Sequence, residues 1–417
     1  MLAGGLLAAT VLLVLVRPGG VGEAWWGAAG GALALALGLV GPGEALGALG
    51  EMREAFMLLA GMVLLGGVAG RAGFFEGVAA LAARAGGGRT GRLFLMVFLA
   101  GSAVTAVLSL DATAVVLTPV VCAMVARLGL PLLPFAFACV YAANTASLFL
   151  PVSNLTNLLA YDALDLGFLR FAAVMLLPGA LAVAANAAVL GALFRRELAG
   201  GYRLCGFEPE NPAFLRLSAA AVAGVLVALP AASALGVPAG PVALAGGAGL
   251  AAAALTRGWM GTGEAVRCVP WGLLALVAGL FVVVRAAGDA GLARLPEELL
   301  LRLSAEGGLA GLLGVAAVAA LGSNLINNLP LLALSLEAAG RAGEPAVYAL
   351  LLGTDIGPNL AFTGSLATLI WLGLVRERGM EVGAGRFLAV GLAATPPALL
   401  AAVLGLWVSL RLVAAGP

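Results

Sequence analysis

The chain has 417 residues, 62% of them hydrophobic and 10% charged, with a formal net charge of +1. A soluble domain carries about 25% charged residues, so this composition excludes a water-soluble globular fold, and the balanced charge argues against a nucleic-acid partner. Histidine and lysine are absent, so every basic residue is arginine and no imidazole can act as proton relay or metal ligand.

The apolar segments follow one another at about the 20-residue length that crosses a hydrocarbon core. The first, Leu2–Val16, has no basic stretch before it and no A-x-A cleavage site, and it reads as a retained helix rather than a signal peptide. Trp25–Val40, Ala55–Ala69, Leu93–Val125, Phe135–Leu159 and Phe171–Phe194 complete a first set of six. The polar stretch Arg195–Arg216 separates it from a second set: Leu217–Ala231, Val237–Leu255, Val269–Val284, Leu309–Leu336, Ala346–Trp371 and Phe387–Leu410. The sets match in length and order, and the fourth member of each is long with a polar break near its middle. Internal repeats of this kind mark secondary transporters. Abundant glycine and alanine suit close helix packing in lipid. Trp25, Trp26, Trp259, Trp271 and Trp371 fall near segment ends, where interfacial anchors sit.

Cytoplasmic loops accumulate basic residues. That rule places Arg17, Arg71, Arg84, Arg89, Arg92, Arg127, the Arg195–Arg216 stretch, Arg257, Arg267, Arg376, Arg378 and Arg386 inside. The more acidic loops around Glu44–Glu54, Asp162–Asp165, Asp289–Glu306 and Glu337–Glu344 fall outside. Arg92 and Arg127 then flank the fourth segment on one side, and Glu306 and Glu337 flank its counterpart on the other. A re-entrant hairpin satisfies this arrangement in each half, and two short full spans satisfy it equally. On the hairpin reading the chain is an all-α polytopic membrane protein of two inverted-topology repeats. It has about 10 transmembrane helices, two re-entrant hairpins and two broken helices. Residues 1–194 form the first repeat (hairpin about 93–127, broken helix about 135–159), 195–216 a cytoplasmic linker, and 217–417 the second repeat (hairpin about 308–338, broken helix about 346–371). The linker is also long enough to serve as a docking loop.

Four polar breaks interrupt the apolar segments. Ala142–Leu159 reads AANTASLFLPVSNLTNLL, and its echo Gly353–Ile370 reads GTDIGPNLAFTGSLATLI. Laid together without a gap, Asn144 falls on Asp355, Asn154 on Ser365 and Asn157 on Thr368. The other pair is SLDATAVVLT at Ser109–Thr118, before Pro119, and SNLINNLP at Ser323–Pro330. Asp111 and Asp355 are the carboxylates inside these segments, and an intramembrane acid is a functional hypothesis by default. Asp111 aligns roughly with Asn327, so each half carries one acid and one amide with the two exchanged. Gluing helices together would explain a single asparagine; it does not explain four symmetric breaks with prolines (Pro119, Pro151, Pro330, Pro358) beside them. Broken helices aim their terminal dipoles at a ligand. Cys122, Cys139, Cys205 and Cys268 show no CxxC spacing and read as small apolar residues rather than a metal site.

At these motifs the sequence resembles the ArsB arsenite/antimonite efflux permeases of the ion-transporter superfamily. The resemblance rests on LDATAVVLTPVV (Leu110–Val121), NTASLFLPVSNLTNLL (Asn144–Leu159), INNLP (Ile326–Pro330) and GTDIGPNLAFTGSLATLIWL (Gly353–Leu372). Related sodium/proton antiporters share the first and third motifs; the second and fourth together are more specific. Asn359 departs from the lysine that similar permeases often carry and leaves Asp355 without a cationic neighbour in sequence. The resemblance implies export of As(OH)3 and Sb(OH)3 across the bacterial cytoplasmic (inner) membrane, by proton exchange alone or with an ArsA-type ATPase on the cytoplasmic side. It also implies a scaffold and a moving transport domain that holds the hairpins and broken helices.

The residues suit this cargo independently. A neutral triol needs hydrogen-bond donors and acceptors rather than a counter-charge, and Asn and Thr offer both. A dicarboxylate would call for arginine, which the breaks lack. The expected substrate-binding residues are Asn144, Thr145, Ser147, Asn154, Asn157, Asn327, Asn328, Thr363 and Ser365. Asp111 and Asp355 are the expected proton-coupling residues, and Ser109, Thr113, Ser323 and Asn324 the hairpin tips. No cofactor and no metal are called for, and the partners are arsenite, antimonite, protons and membrane lipid. The breaks also hold carboxylate and carbonyl oxygens that sodium would use. A sodium/proton antiporter therefore stays open, as does a channel-like subunit of an ATP-driven pump.

Overall fold

A computed structural model describes residues 2–414 except residues 17, 164–166, 205, 207, 270 and 293. Arg17, Asp165 and Cys205, used above, lie outside the described residues. The first half contains α1 (Leu2–Val16), α2 (Glu23–Ala36), α3 (Pro42–Glu51), α4 (Arg53–Arg71), α5 (Phe74–Ala85), α6 (Thr90–Val107), α7 (Thr118–Arg127), α8 (Leu132–Ala146), α9 (Leu155–Ala163) and α10 (Phe168–Leu193). The second contains α11 (Pro212–Ala234), α12 (Ala239–Thr256), α13 (Thr262–Cys268), α14 (Trp271–Asp289), α15 (Arg294–Ala305), α16 (Gly308–Ile326), α17 (Asn328–Ala342), α18 (Glu344–Ile356), α19 (Leu366–Arg376) and α20 (Ala384–Ala414). Among the described residues, eight helices are long and apolar enough to cross a membrane, and α1, α8 and α19 are among the shorter apolar ones. The protein is an all-helical polytopic membrane protein.

The two series run in parallel order. The short helices α3 and α13 begin with the same turn, Gly41-Pro-Gly-Glu44 and Gly261-Thr-Gly-Glu264. In each, the backbone N–H of the glycine donates to the glutamate three residues on, at 2.9 Å and 3.0 Å. This satisfies a donor at the helix start, as the reciprocal arm of a capping box does.

Packing follows the same duality. In one group α4 lies against α12 and α2 against α14, with α1 and α11 alongside. These crossings are close because glycine lets backbones meet: a Cβ on Gly31 would stand 2.8 Å from the Gly279 backbone, and one on Gly240 would stand 2.8 Å from Glu54 O. In the other group α10 packs on α20, α6 on α8 and α16 on α18. Helices α8 and α18 form its centre, and every residue from Pro134 to Ala146 and from Ala346 to Ile356 is buried. A helix covered on all faces has no amphipathic stripe, so its polar residues must find partners inside the protein.

Contacts between separate helices join segments that the arginine distribution puts on one side. Arg71 on α4 pairs with Glu264 on α13. On the opposite side by that rule, Arg170 on α10 makes a two-pronged pair with Glu344 on α18, and Arg341 on α17 meets Glu297 on α15. The stretch after α10 folds back on the α5–α6 turn, where Tyr202 N donates to Gly88 O and the Tyr202 hydroxyl to Ala83 O.

Two expectations are corrected. The first break is confined to Leu108–Ser109 rather than running to Thr118, because helix resumes at Leu110 and continues through a π-helical stretch, Ala112–Leu117, into α7. Pro119 cannot donate and clashes with the carbonyl four residues back. A wider turn accommodates it, with Thr118 N and Oγ1 both reaching Thr113 O. Trp371 is not an interfacial anchor: it is fully buried, donates to Ala136 O at 3.0 Å and packs edge-on against Phe137. Trp25 and Trp271 are exposed, as anchors are.

Candidate functional site

The broken helices meet at the centre of the second group. Helix α8 stops at Ala146, a short 3-10 turn at Pro151–Ser153 follows, and α9 restarts at Leu155. Helix α18 stops at Ile356, passes through 3-10 turns at Gly357–Asn359 and Phe362–Gly364, and α19 restarts at Leu366. Proline explains both interruptions, since Pro151 and Pro358 cannot supply a backbone donor.

Polar side chains bond across the halves. Asp355, 1% exposed at the end of α18, accepts from Thr156 Oγ1 at 2.7 Å and from Asn154 Nδ2 at 3.1 Å, both at the start of α9. The carboxylate thus faces a helix N-terminus, where negative charge is favoured. In the reverse direction Asn144 on α8 donates to Asn359 Oδ1 at 3.0 Å and to Thr368 Oγ1 on α19 at 3.1 Å. The acid–amide exchange read from the aligned motifs is therefore a pair of cross-half bonds. Thr145 extends the network by accepting from Asn359 Nδ2 at 3.1 Å and from Asn186 Nδ2 on α10 at 2.6 Å. Tyr141 OH fixes the Asn359 carbonyl at 2.9 Å. Three buried acceptors here, Asp355 Oδ2, Asn144 Oδ1 and Asn186 Oδ1, have no hydrogen-bond partner among the described residues. A buried acceptor left unpaired costs about 1–3 kcal/mol, and each of these atoms can accept a further donor.

The other expected residues fall into three places. Asn157 turns away from the network and donates to the carbonyls of Ser147 and Leu150, at 2.6 Å and 3.0 Å, bracing the unwound turn. Ser147 bonds back to Asn144 O at 2.8 Å and receives a long 3.4 Å contact from Asn154. Asn327, Asn324 and Thr363 gather at the second hairpin. Asn324 donates to Gly357 O at 2.8 Å and accepts from Ala361 N at 3.0 Å, while Thr363 donates to Asn324 O at 2.8 Å. Asn327 donates to Thr363 O at 3.2 Å. Ser323 bonds within its own helix, Asn328 Oδ1 accepts from Leu329 N, and Ser365 is buried.

At the first hairpin Ser109 accepts from Ala112 N, and Thr113 shares a 2.7 Å hydroxyl bond with Thr105. Ser153 reaches over from the broken helix to Ala106 O at 2.7 Å. Asp111 lines a small cavity of about 30 Å³ together with Ser109, Ser153 and Asn154. Asn154 therefore touches the Asp111 cavity and the Asp355 carboxylate.

Thr156, Asn359, Thr368 and Asn186 were not among the expected site residues. Thr156 and Thr368 sit inside the quoted motifs, but helical position alone does not tell which hydroxyl faces the partner half. Asn186 is a lone amide in an otherwise apolar helix, and that signal was available.

Comparison with known proteins agrees with the motifs. A family model described as arsenical pump membrane protein, ArsB, matches residues 2–410. Arsenical pump membrane proteins of Escherichia coli and Yersinia enterocolitica are each 32% identical over 413 residues, covering 96% of both chains. An uncharacterized transporter of Mycobacterium bovis is 26% identical over 371 residues, covering 85% of each chain. The crystal structure of the Alcanivorax borkumensis YdaH transporter superposes with a TM-score of 0.63 at 17% identity, over 99% of this chain and 98% of that one. At that identity the likeness shows the fold alone, a transporter fold of the YdaH kind. The family match over nearly the whole length, with the two broken helices that carry its motifs bonded to each other, places this chain in the ArsB family of arsenical pump membrane proteins.

Proposed function

We propose that the protein exports arsenite and antimonite, as As(OH)3 and Sb(OH)3, across the bacterial cytoplasmic membrane in exchange for protons. The observation that carries this reading is the cross-half network around Asp355. It offers neutral donors and acceptors, leaves three buried acceptors for hydroxyl donors, and contains one carboxyl group able to carry a proton. No arginine enters the hydrogen bonds of the network among the described residues, which suits an uncharged triol better than an anion. Asn144, Thr145, Asn154 and Asp355, joined by Thr156, Asn359 and Thr368, form the central site. Asn324, Asn327 and Thr363 close it on the second hairpin.

The matching helix series supports a division into two inverted-topology repeats, 1–194 and 217–417, with 195–216 as the linker. Movement is then a rigid-body shift of the group holding α6–α10 and α16–α20 against the group holding α1–α4 and α11–α14. Asp111, which shares a cavity with Asn154, is the second residue on the proton route.

The test is uptake into inverted membrane vesicles under an imposed proton gradient without ATP, with arsenite, antimonite and sodium in separate arms. Uptake of both metalloids supports the proposal. Sodium-dependent proton movement without arsenite flux contradicts it, and a strict need for ATP favours the subunit reading.

A further inference from the structure

A large cavity lies beside the first broken helix, on the outer face of the second group. It is a groove of about 1100 Å³ between α6 and α10, walled by Leu95, Leu99, Ala184 and Ala188, floored by Phe149 and closed at one end by Arg195. Leu99, Ala184 and Ala188 are exposed, so the groove opens outward from the helix bundle. Arg196 follows in the chain, and Arg89 and Arg92 are exposed at the start of α6, near the turn on which the stretch after α10 folds back. Arg195 enters none of the ion pairs among the described residues.

The second half carries bulkier residues at the matching positions. Helix α10 opens with Arg170-Phe171 and α20 with Arg386-Phe387. Laying one pair on the other without a gap sets Ala184 on Leu400, Ala188 on Leu404, Gly191 on Trp407 and Arg195 on Arg411. Trp407 and Arg411 line a smaller cavity of about 380 Å³ beside α16. The Arg411 guanidinium stacks on the Trp407 ring at 3.5 Å, a cation–π contact that satisfies it. In the first half every bulky residue of this set is replaced by alanine or glycine, and Arg195 stacks on no ring among the described residues. A Cβ on Gly191 would meet nothing nearer than the Phe94 ring at 3.9 Å, so the space is open.

We propose that the α6–α10 groove holds an acyl chain of an anionic phospholipid, with its phosphate bound by Arg195. Apolar walls suit the chain, and the basic rim at one end suits a phosphate, which guanidinium binds through paired hydrogen bonds. The lipid comes from the leaflet on the linker side, where juxtamembrane arginines favour anionic headgroups. The far end of the chain meets Phe149 and Leu150 in the unwound turn between α8 and α9, so occupancy touches the segment that Asn157 braces.

The test is native mass spectrometry of the full-length protein released from nanodiscs of equal phosphatidylglycerol and phosphatidylcholine. Wild type is expected to retain phosphatidylglycerol about fivefold over phosphatidylcholine, the fold-change matching roughly 1 kcal/mol per basic residue at an anionic surface. Arg195→Gln should lower that ratio. Gly191→Trp should remove bound lipid of both kinds; should that variant fail to fold, Ala184→Leu with Ala188→Leu fills the same groove from its exposed face. Equal retention of the two lipids by wild type, or unchanged retention in the filled variants, would overturn the proposal.

Discussion

Thr156, at the start of α9, donates its hydroxyl to the Asp355 carboxylate at the end of α18 across 199 residues of sequence, at 2.7 Å. The bond ties the unwound stretch of one half to the acid of the other, so the carboxyl group cannot change protonation or partner without the first half registering it. Hydrogen bonds to a charged group contribute about 1.5–3 kcal/mol. Replacing Thr156 by Val keeps the shape and removes the donor, and should lower arsenite uptake into inverted vesicles about tenfold or more. Thr156→Ser should restore most of it. Equal rates for Val and wild type would separate Thr156 from the site.

Asn144 and Asp355 stand at matching places in the two breaks, each bonded into the opposite half. Asn144→Asp would set an acid in both halves. The variant should assemble, because the site already holds an acid beside a helix N-terminus, but arsenite should compete less well for a more highly charged network. A rise of about tenfold in the arsenite concentration for half-maximal uptake is expected, the size of about 1.4 kcal/mol. An unchanged value would show that Asn144 does not face the cargo.

Much of this site could be read from the chain before any fold was known. The prolines and amides of Ala142–Leu159 and Gly353–Ile370 announced interrupted helices, and Asp355 stood out as an acid in an apolar stretch. What spacing could not supply was direction. Asn157 carries the same amide as Asn154 three residues away, yet one faces Leu150 O and the other the Asp355 carboxylate. Asn154 is extended backbone just before α9, so the helical spacing does not put it on the face of Asn157. Asn359 was noted for the charge it lacks, whereas its place is set by Tyr141, Asn144 and Thr145 of the other half, which only tertiary packing brings near. The repeated Gly-x-Gly-Glu turns of α3 and α13 were readable and would have anchored the repeat earlier.

Asn327 forms the second hairpin's tip with φ 74 and ψ 154, and it is the one non-glycine residue with positive φ among the described residues. That region is essentially reserved for glycine and costs an L-residue about 1–3 kcal/mol. Asn327→Gly should relieve this cost and raise the thermal unfolding midpoint in detergent. Arsenite transport should fall, because the amide that holds Thr363 O is lost. A lower midpoint would show that the amide contributes more than the backbone conformation costs.

The α2–α14 crossing depends on bare backbone: a Cβ on Gly31 would stand 2.8 Å from Gly279. Overpacking of such a contact costs about 1–3 kcal/mol. Gly31→Val should therefore lower the unfolding midpoint, while Gly5→Val, where a Cβ meets nothing within 4 Å, should leave it nearly unchanged. Similar midpoints for both would show that the crossing relaxes freely.

In the proposed exchange, arsenite and a proton use Asp355 in turn. Proteoliposomes loaded with arsenite and a pH-sensitive dye, diluted into arsenite-free medium, test it directly. In wild type the outward arsenite gradient alone should acidify the lumen as protons enter in exchange, and in Asp355→Asn the acidification should be absent. Arsenite leaving wild-type vesicles without acidification, or acidification that persists in Asp355→Asn, would contradict the account.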